Sequence, residues 1–134
     1  THKWSGTLKP GKAQMDNITG ELFEVETQFV PSTGSQTVFN LRGMTVSYDA
    51  NSQTLTCNGS GKNLSTKLVP VDGIISLRIF LDRTALEVYG NDGQIYIPLV
   101  VFPDMNNKSV SVTSAGGSVK VNSLKVHELK SIWP

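Results

Sequence analysis

Between positions 78 and 96 the chain concentrates the side chains most able to do chemistry: the carboxylates of Asp82 and Glu87, with Asp92 in a turn beyond them, two guanidinium groups, Arg78 and Arg83, and the rings of Phe80, Tyr89 and Tyr96. Two chemistries are open to such a set. General acid–base hydrolysis of a glycosidic bond with retention needs two carboxyl groups held about 5 Å apart, one ionised and one protonated. Asp82 and Glu87 are the pair to weigh, but each has an arginine close in sequence, Arg83 and Arg78. Ion pairs with those arginines would keep both carboxyls ionised and remove the acid. The second chemistry is recognition. A carboxylate accepts from vicinal hydroxyls in pairs, a guanidinium donates to them in a fixed fork, and an aromatic ring offers a platform to the carbon face of a sugar. Asp82, Arg83, Glu87 and Tyr89, with Arg78 and Tyr96 beside them, are the residues expected to touch such a ligand. A structural reading stays open for each: an aspartate can cap a tight turn, an arginine can pair with a nearby carboxylate, and the rings can pack under a loop or a neighbouring domain.

The remaining reactive residue types point to little. Cys57 is the single cysteine, so no intrachain disulfide can form, and its place in the alternating stretch Leu55-Thr56-Cys57 predicts a buried, inert thiol. His2 and His127 have no second histidine at ligand spacing and no cysteine partner for zinc. Asp16, Asp72, Asp92 and Asp104 lie in loops without the acidic spacing of a calcium loop. No metal or cofactor is expected. Trp4 and Trp133 lie near opposite termini, where pairing of the end strands would bring them together. Sequons at Asn17, Asn58, Asn63 and Asn107 fall in or beside polar stretches.

Lys and Arg number 12 against 11 Asp and Glu, a net charge of +1. That balance gives no electrostatic reason to expect nucleic acid or an anionic membrane and favours a neutral partner. No run of about 18 apolar residues is present for a transmembrane helix, and no charged-then-apolar leader opens the chain. The start at Thr1-His2-Lys3-Trp4, without methionine, is that expected of a cut between domains of a longer protein.

The elements that must hold the central residues are strands. Period-two alternation bounded by Gly, Asn, Asp or Pro recurs throughout, and no helical period persists beyond about two turns. Phe23, Val25 and Phe29 share one face of a strand whose other face carries Glu24, Glu26 and Gln28. A Pro31-Ser32-Thr33-Gly34 turn follows, then alternating segments from Thr37 to Arg42 and through Met44, Val46 and Tyr48. A turn at Asp49-Ala50-Asn51-Ser52 leads to a return strand through Leu55 and Cys57, and Asn58 to Lys67 reads as a polar loop. Val110 and Val112, a turn at Ser114-Ala115-Gly116-Gly117, and Val119, Val121, Leu124 and Val126 close the chain. In the middle, a turn at Arg83-Thr84 and another at Asp92-Gly93 fix compatible registers. They set Ile79 and Leu81 opposite Val88 and Leu86, and those opposite Ile97 and Leu99, as one apolar ladder. The opposite face gathers Arg78, Phe80, Glu87, Tyr89 and Tyr96. The prediction is a single all-β domain over residues 1–134, an antiparallel two-sheet sandwich of the lectin-like jelly-roll type.

The stretch Ser76-Leu77-Arg78-Ile79-Phe80-Leu81-Asp82-Arg83-Thr84-Ala85-Leu86-Glu87-Val88-Tyr89-Gly90-Asn91-Asp92-Gly93 resembles the signature of the carboxy-terminal β-sandwich of glycoside hydrolase family 32, the invertases, levanases and inulinases. Trp4 with Leu8-Lys9-Pro10-Gly11, Val46-Ser47-Tyr48-Asp49, and Val126 to Trp133 extend the resemblance over nearly the whole chain. Thr84 stands where serine is common and Tyr89 where phenylalanine is. Related sandwiches also serve as fructan-binding modules, including the family 66 carbohydrate-binding modules. The resemblance implies an upstream catalytic propeller, whose Asn-Asp-Pro, Arg-Asp-Pro and Glu-Cys motifs carry the catalytic acids and do not occur here, and it implies secretion to the extracellular space. It leaves two roles: a non-catalytic module that binds fructan polysaccharide or its terminal fructose, and an accessory domain that packs on and stabilises the propeller. A protein-binding sandwich of the laminin-globular type shares the fold without the motif.

Overall fold

The structure is a computed structural model that describes residues 1–129. In chain order the strands are β1 (His2–Leu8), β2 (Leu22–Val30), β3 (Gln36–Leu41), β4 (Met44–Asp49), β5 (Thr54–Gly59), β6 (Lys62–Lys67), β7 (Ile75–Leu81), β8 (Ala85–Gly90), β9 (Ile95–Val100), β10 (Val110–Ala115) and β11 (Val119–Leu129). They form two antiparallel sheets: one of six strands in the order β1-β11-β2-β7-β8-β9, one of five in the order β10-β3-β4-β5-β6. The expected sandwich is what the chain forms, and no helix lies among the described residues.

Alternation decides which residues fill the space between the sheets. Phe23, Val25 and Phe29 of β2 are buried, as are Ile79 and Leu81 of β7 and Leu86 and Val88 of β8. They face Phe39, Val46, Tyr48, Leu55 and Cys57 of the five-stranded sheet, all at most 2% exposed. The Phe29 ring lies 6.1 Å from Phe39 and 6.0 Å from Tyr48, the latter edge-on. Each such side chain contributes about 1.5–3 kcal/mol through burial, so this ladder carries much of the fold's stability. The Tyr48 hydroxyl donates to the Leu68 carbonyl at 2.6 Å, and the Cys57 thiol is buried among apolar neighbours, as its sequence context predicts.

Both predicted hairpins form in the predicted register: Ile79 pairs with Val88, Leu81 with Leu86, Val88 with Ile97 and Leu86 with Leu99. At the first, the Asp82 N–H donates to the Ala85 carbonyl across Arg83-Thr84. At the second, Asp92 and Gly93 both have positive φ, 57° and 91°, the conformation that a two-residue type I′ hairpin demands. Asn91 does more than flank that turn. Its side chain accepts from the Ser76 N–H and donates to the Val69 carbonyl, tying the turn to the preceding loop.

Three features depart from the sequence reading or go beyond it. The stretch 58–67 is not a polar loop: β5 runs on to Gly59, turns tightly, and returns as β6 along the sheet edge. Residues 62–65 and 67 are exposed, so this edge strand carries no buried apolar row and its polar sequence looks like a loop. The turn after Ala115 joins no hairpin, since β10 pairs with β3 in one sheet and β11 with β2 and β1 in the other. Finally, β11 changes inward parity, from Val119 and Val121 to Leu124 and Val126, through a bulge between Val121 and Ser123. The Thr27 hydroxyl donates to the Ser123 carbonyl at 2.9 Å and holds the bulge. Trp4 is half-buried against the core, while the expected partner Trp133 lies outside the described residues.

A buried arginine outside the predicted set fastens the loops at one end. Arg42 is 5% exposed and has φ of 53°. Its guanidinium donates to the carbonyls of Asn107 at 2.8 Å, Glu21 at 3.1 Å and Asp104 at 3.0 Å. Three carbonyls in fork geometry satisfy the buried cation where no carboxylate does.

Candidate functional site

The outward face of the six-stranded sheet reads as rows of side chains in register. One row crosses Lys125 on β11, Glu26 on β2, Arg78 on β7, Tyr89 on β8 and Tyr96 on β9; the next crosses His127, Glu24, Phe80, Glu87 and Pro98. The β11 bulge supplies the parity that turns Ser123, Lys125 and His127 outward. Two strands distant in sequence from the central hairpins thus complete their polar face.

The rings form a ridge. Tyr89 and Tyr96 stack tilted with centroids 4.9 Å apart, and Phe80 meets Tyr89 edge-on at 6.1 Å. The Arg78 guanidinium carbon lies 5.1 Å from the Phe80 centroid, a cation–π contact. Burial pushes the Tyr89 phenol above its usual range, and a hydrogen bond to Glu87 at 3.2 Å adds to the shift. Burial raises Tyr96 in the same way, with the Glu87 charge adding. Both phenols therefore stay protonated, as donors, at neutral pH.

The ion pairs are not those expected from sequence proximity. Arg78 pairs with Glu24 at 2.6 Å and sits 3.8 Å from Glu26, both on the adjacent β2, instead of pairing with Glu87. Arg83 reaches Glu21 at 3.7 Å, not Asp82. Asp82 is occupied locally: one carboxylate oxygen accepts from the N–H groups of Thr84 and Ala85, both at 2.8 Å, and caps the turn. The reason is the sheet itself. Arg78 lies between two strands, with Glu26 directly opposite and Glu24 diagonal on β2 and Glu87 diagonal on β8, and two carboxylates on the β2 side outweigh one on the β8 side. His127 approaches Glu26 at 3.3 Å and the Thr1 hydroxyl at 2.9 Å, and His2 approaches Glu128 at 3.2 Å.

Two shallow depressions cross this face. The larger, about 840 Å³, has Arg78, Phe80 and Tyr89 on its floor and walls, with Glu26, Gln28 and Lys125 from β2 and β11 and Asp92 from the hairpin turn. The smaller, about 380 Å³, contains Asp82 and Glu87, again with Phe80 and Tyr89, and is bordered by Leu22 and Leu129. Of the six predicted residues, Arg78 and Tyr89 line the first and Asp82, Glu87 and Tyr89 the second. Tyr96 stands outside both against Tyr89, and Arg83 lines neither. Glu26, Gln28, Ser76, Ser123 and Lys125 were not among the predicted residues. The alternation of Glu24, Glu26 and Gln28 was visible in the sequence, but not the pairing of β2 with β7.

Residues 1–128 match the family profile described as "Glycosyl hydrolases family 32 C terminal". The levanase of Bacillus subtilis (strain 168) is 32% identical over 152 residues, covering 98% of this chain and 22% of that protein. The extracellular exo-inulinase of Aspergillus awamori is 28% identical over 61 residues, 46% of this chain and 11% of that protein. A crystal structure of exo-inulinase from Aspergillus awamori superposes with a TM-score of 0.87 at 25% identity, over 98% of this chain and 29% of that one. The chain thus spans less than a quarter of the levanase it matches along its whole length. On the strength of the whole-length profile match and the shared sandwich, the chain belongs to the glycoside hydrolase family 32 carboxy-terminal β-sandwich domains.

Proposed function

We propose that this domain is a non-catalytic, fructan-binding module, and that the outer face of its six-stranded sheet holds the polymer for an attached, secreted fructan hydrolase with a catalytic propeller. One observation carries the reading. The larger depression combines aromatic rings with a charge-balanced lining, Glu26 and Asp92 against Arg78 and Lys125, which suits a neutral, hydroxyl-rich ligand. The similarity to a levanase and an exo-inulinase supports fructan as the sugar. Catalysis by this chain is disfavoured because Asp82, one of the two carboxylates considered, is committed to capping its turn.

A second reading, packing on the catalytic domain, rests on the β9 margin of the same face and the loop that follows it. Tyr96 and Val100 on β9 and Phe102 and Met105 in the loop after it are 49%, 53%, 67% and 81% exposed. An apolar edge of this kind suits a protein neighbour. Calorimetric titration of the domain with fructose, levan and inulin separates the readings. Levan binding is expected, with little salt dependence and no effect of chelator, and Arg78→Ala should weaken it about tenfold, a loss of about 1.4 kcal/mol. If the parent domain takes up no fructan at saturating concentration, the packing role stands in its place.

A further inference from the structure

Resting on the reading of the outer face as a fructan site, we propose that the site takes an internal run of several sugar units and not a chain end. The two depressions are not independent: both are bounded by Phe80 and Tyr89, so the aromatic ridge is a saddle between them. Across the sheet, the larger one draws residues from β11, β2, β7 and β8. Four strands span about 14 Å at the usual spacing, longer than one sugar ring. Along β7, the smaller depression extends the track towards Asp82.

Nothing along this track is built to recognise an end. A pocket for a chain terminus is concave and encloses the end unit together with the polar groups that grip it. The track's own polar groups are open to water: the Arg78 side chain is 55% exposed and Glu26 41%. Each contact therefore replaces a bond to water and is weak alone. Useful affinity comes only from summing contacts over consecutive units, which an open groove allows and a blind pocket does not.

The test is calorimetry with fructose, with fructo-oligosaccharides of increasing length, and with levan, fitted for stoichiometry per chain. The expected result is affinity that climbs about tenfold or more from the shortest oligomer until the groove is filled, each tenfold step being about 1.4 kcal/mol. It then levels off, with several domains bound per levan chain. Lys125→Ala, an exposed change on the outermost strand of the track, should flatten the climb, with its largest loss of affinity for the long oligomers. Affinity per chain end that is independent of length, with one domain per chain, would overturn the proposal while leaving fructan binding intact. Absence of binding to any of these sugars would overturn both.

Discussion

Arg42 and the two buried neutral acids show how single side chains set stability here. Arg42 satisfies three loop carbonyls at once, so Arg42→Ala leaves them without their donor, at about 1–3 kcal/mol for each that stays buried. Arg42→Lys should restore little, because an ammonium group lacks the planar fork. Thermal melting of both variants checks this, and a lysine variant as stable as the parent would show that charge alone suffices. Tyr48 and Cys57 govern the alkaline limit. Burial, with the Asp49 charge adding, pushes the Tyr48 phenol from 10.0 up to about 12, and burial pushes the Cys57 thiol from 9.0 up to about 12. Both pKa values are raised on folding, so the unfolded chain loses these protons first. Their stabilisation is whole below the unfolded values and is lost as pH rises through the folded ones, at about 1.4 kcal/mol per pH unit for each group. Denaturant unfolding between pH 8 and 12 should show the decline, and Cys57→Ala should delay its onset from about pH 9 to about pH 10. An unshifted onset would mean that the thiol titrates normally in the folded protein.

At the scale of elements, local chemistry specifies the hairpins and long-range contact specifies the crossings. Asp92-Gly93 and the Asp82-capped turn each fix a register by themselves, since the turn geometry sets which residues face each other. The connections between sheets obey another constraint. Gly116, with φ of 74°, lies where the β10–β11 crossing meets the β2–β3 crossing, and a Cβ there would collide with the Gly34 carbonyl oxygen. Gly116→Ala should therefore cost more than the roughly 1–3 kcal/mol expected of a left-handed backbone alone. Gly11→Ala, at φ of 80° with open space around it, is the control that carries the backbone strain without the collision. Equal melting temperatures for the two variants would show that the crossings do not touch.

Over the whole molecule, the candidate site exists only because strands far apart in sequence lie side by side. The all-β class, the ladder of Ile79, Leu81, Leu86, Val88, Ile97 and Leu99, and the polar face of Arg78, Phe80, Glu87, Tyr89 and Tyr96 were legible in the sequence. They depend on period-two alternation and on turns that close within two residues, and both are local. Edge strand β6 was not legible, because its exposed residues carry no alternation to read. The placement of β2 beside β7, and of β11 beside β2, was not legible either: antiparallel neighbours separated by some fifty residues, such as Glu24 and Arg78, leave no mark on either segment. That placement redirected the arginines from their sequence neighbours to Glu24 and Glu21, and it added Glu26, Gln28 and Lys125 to the groove. The sequence by itself determined which residues face outward together on each hairpin, since side chains alternate along any strand. Only the tertiary structure decided which charges meet and how far the groove extends, since those depend on strand order, which the burial of both sheets' inner faces selects for the chain as a whole.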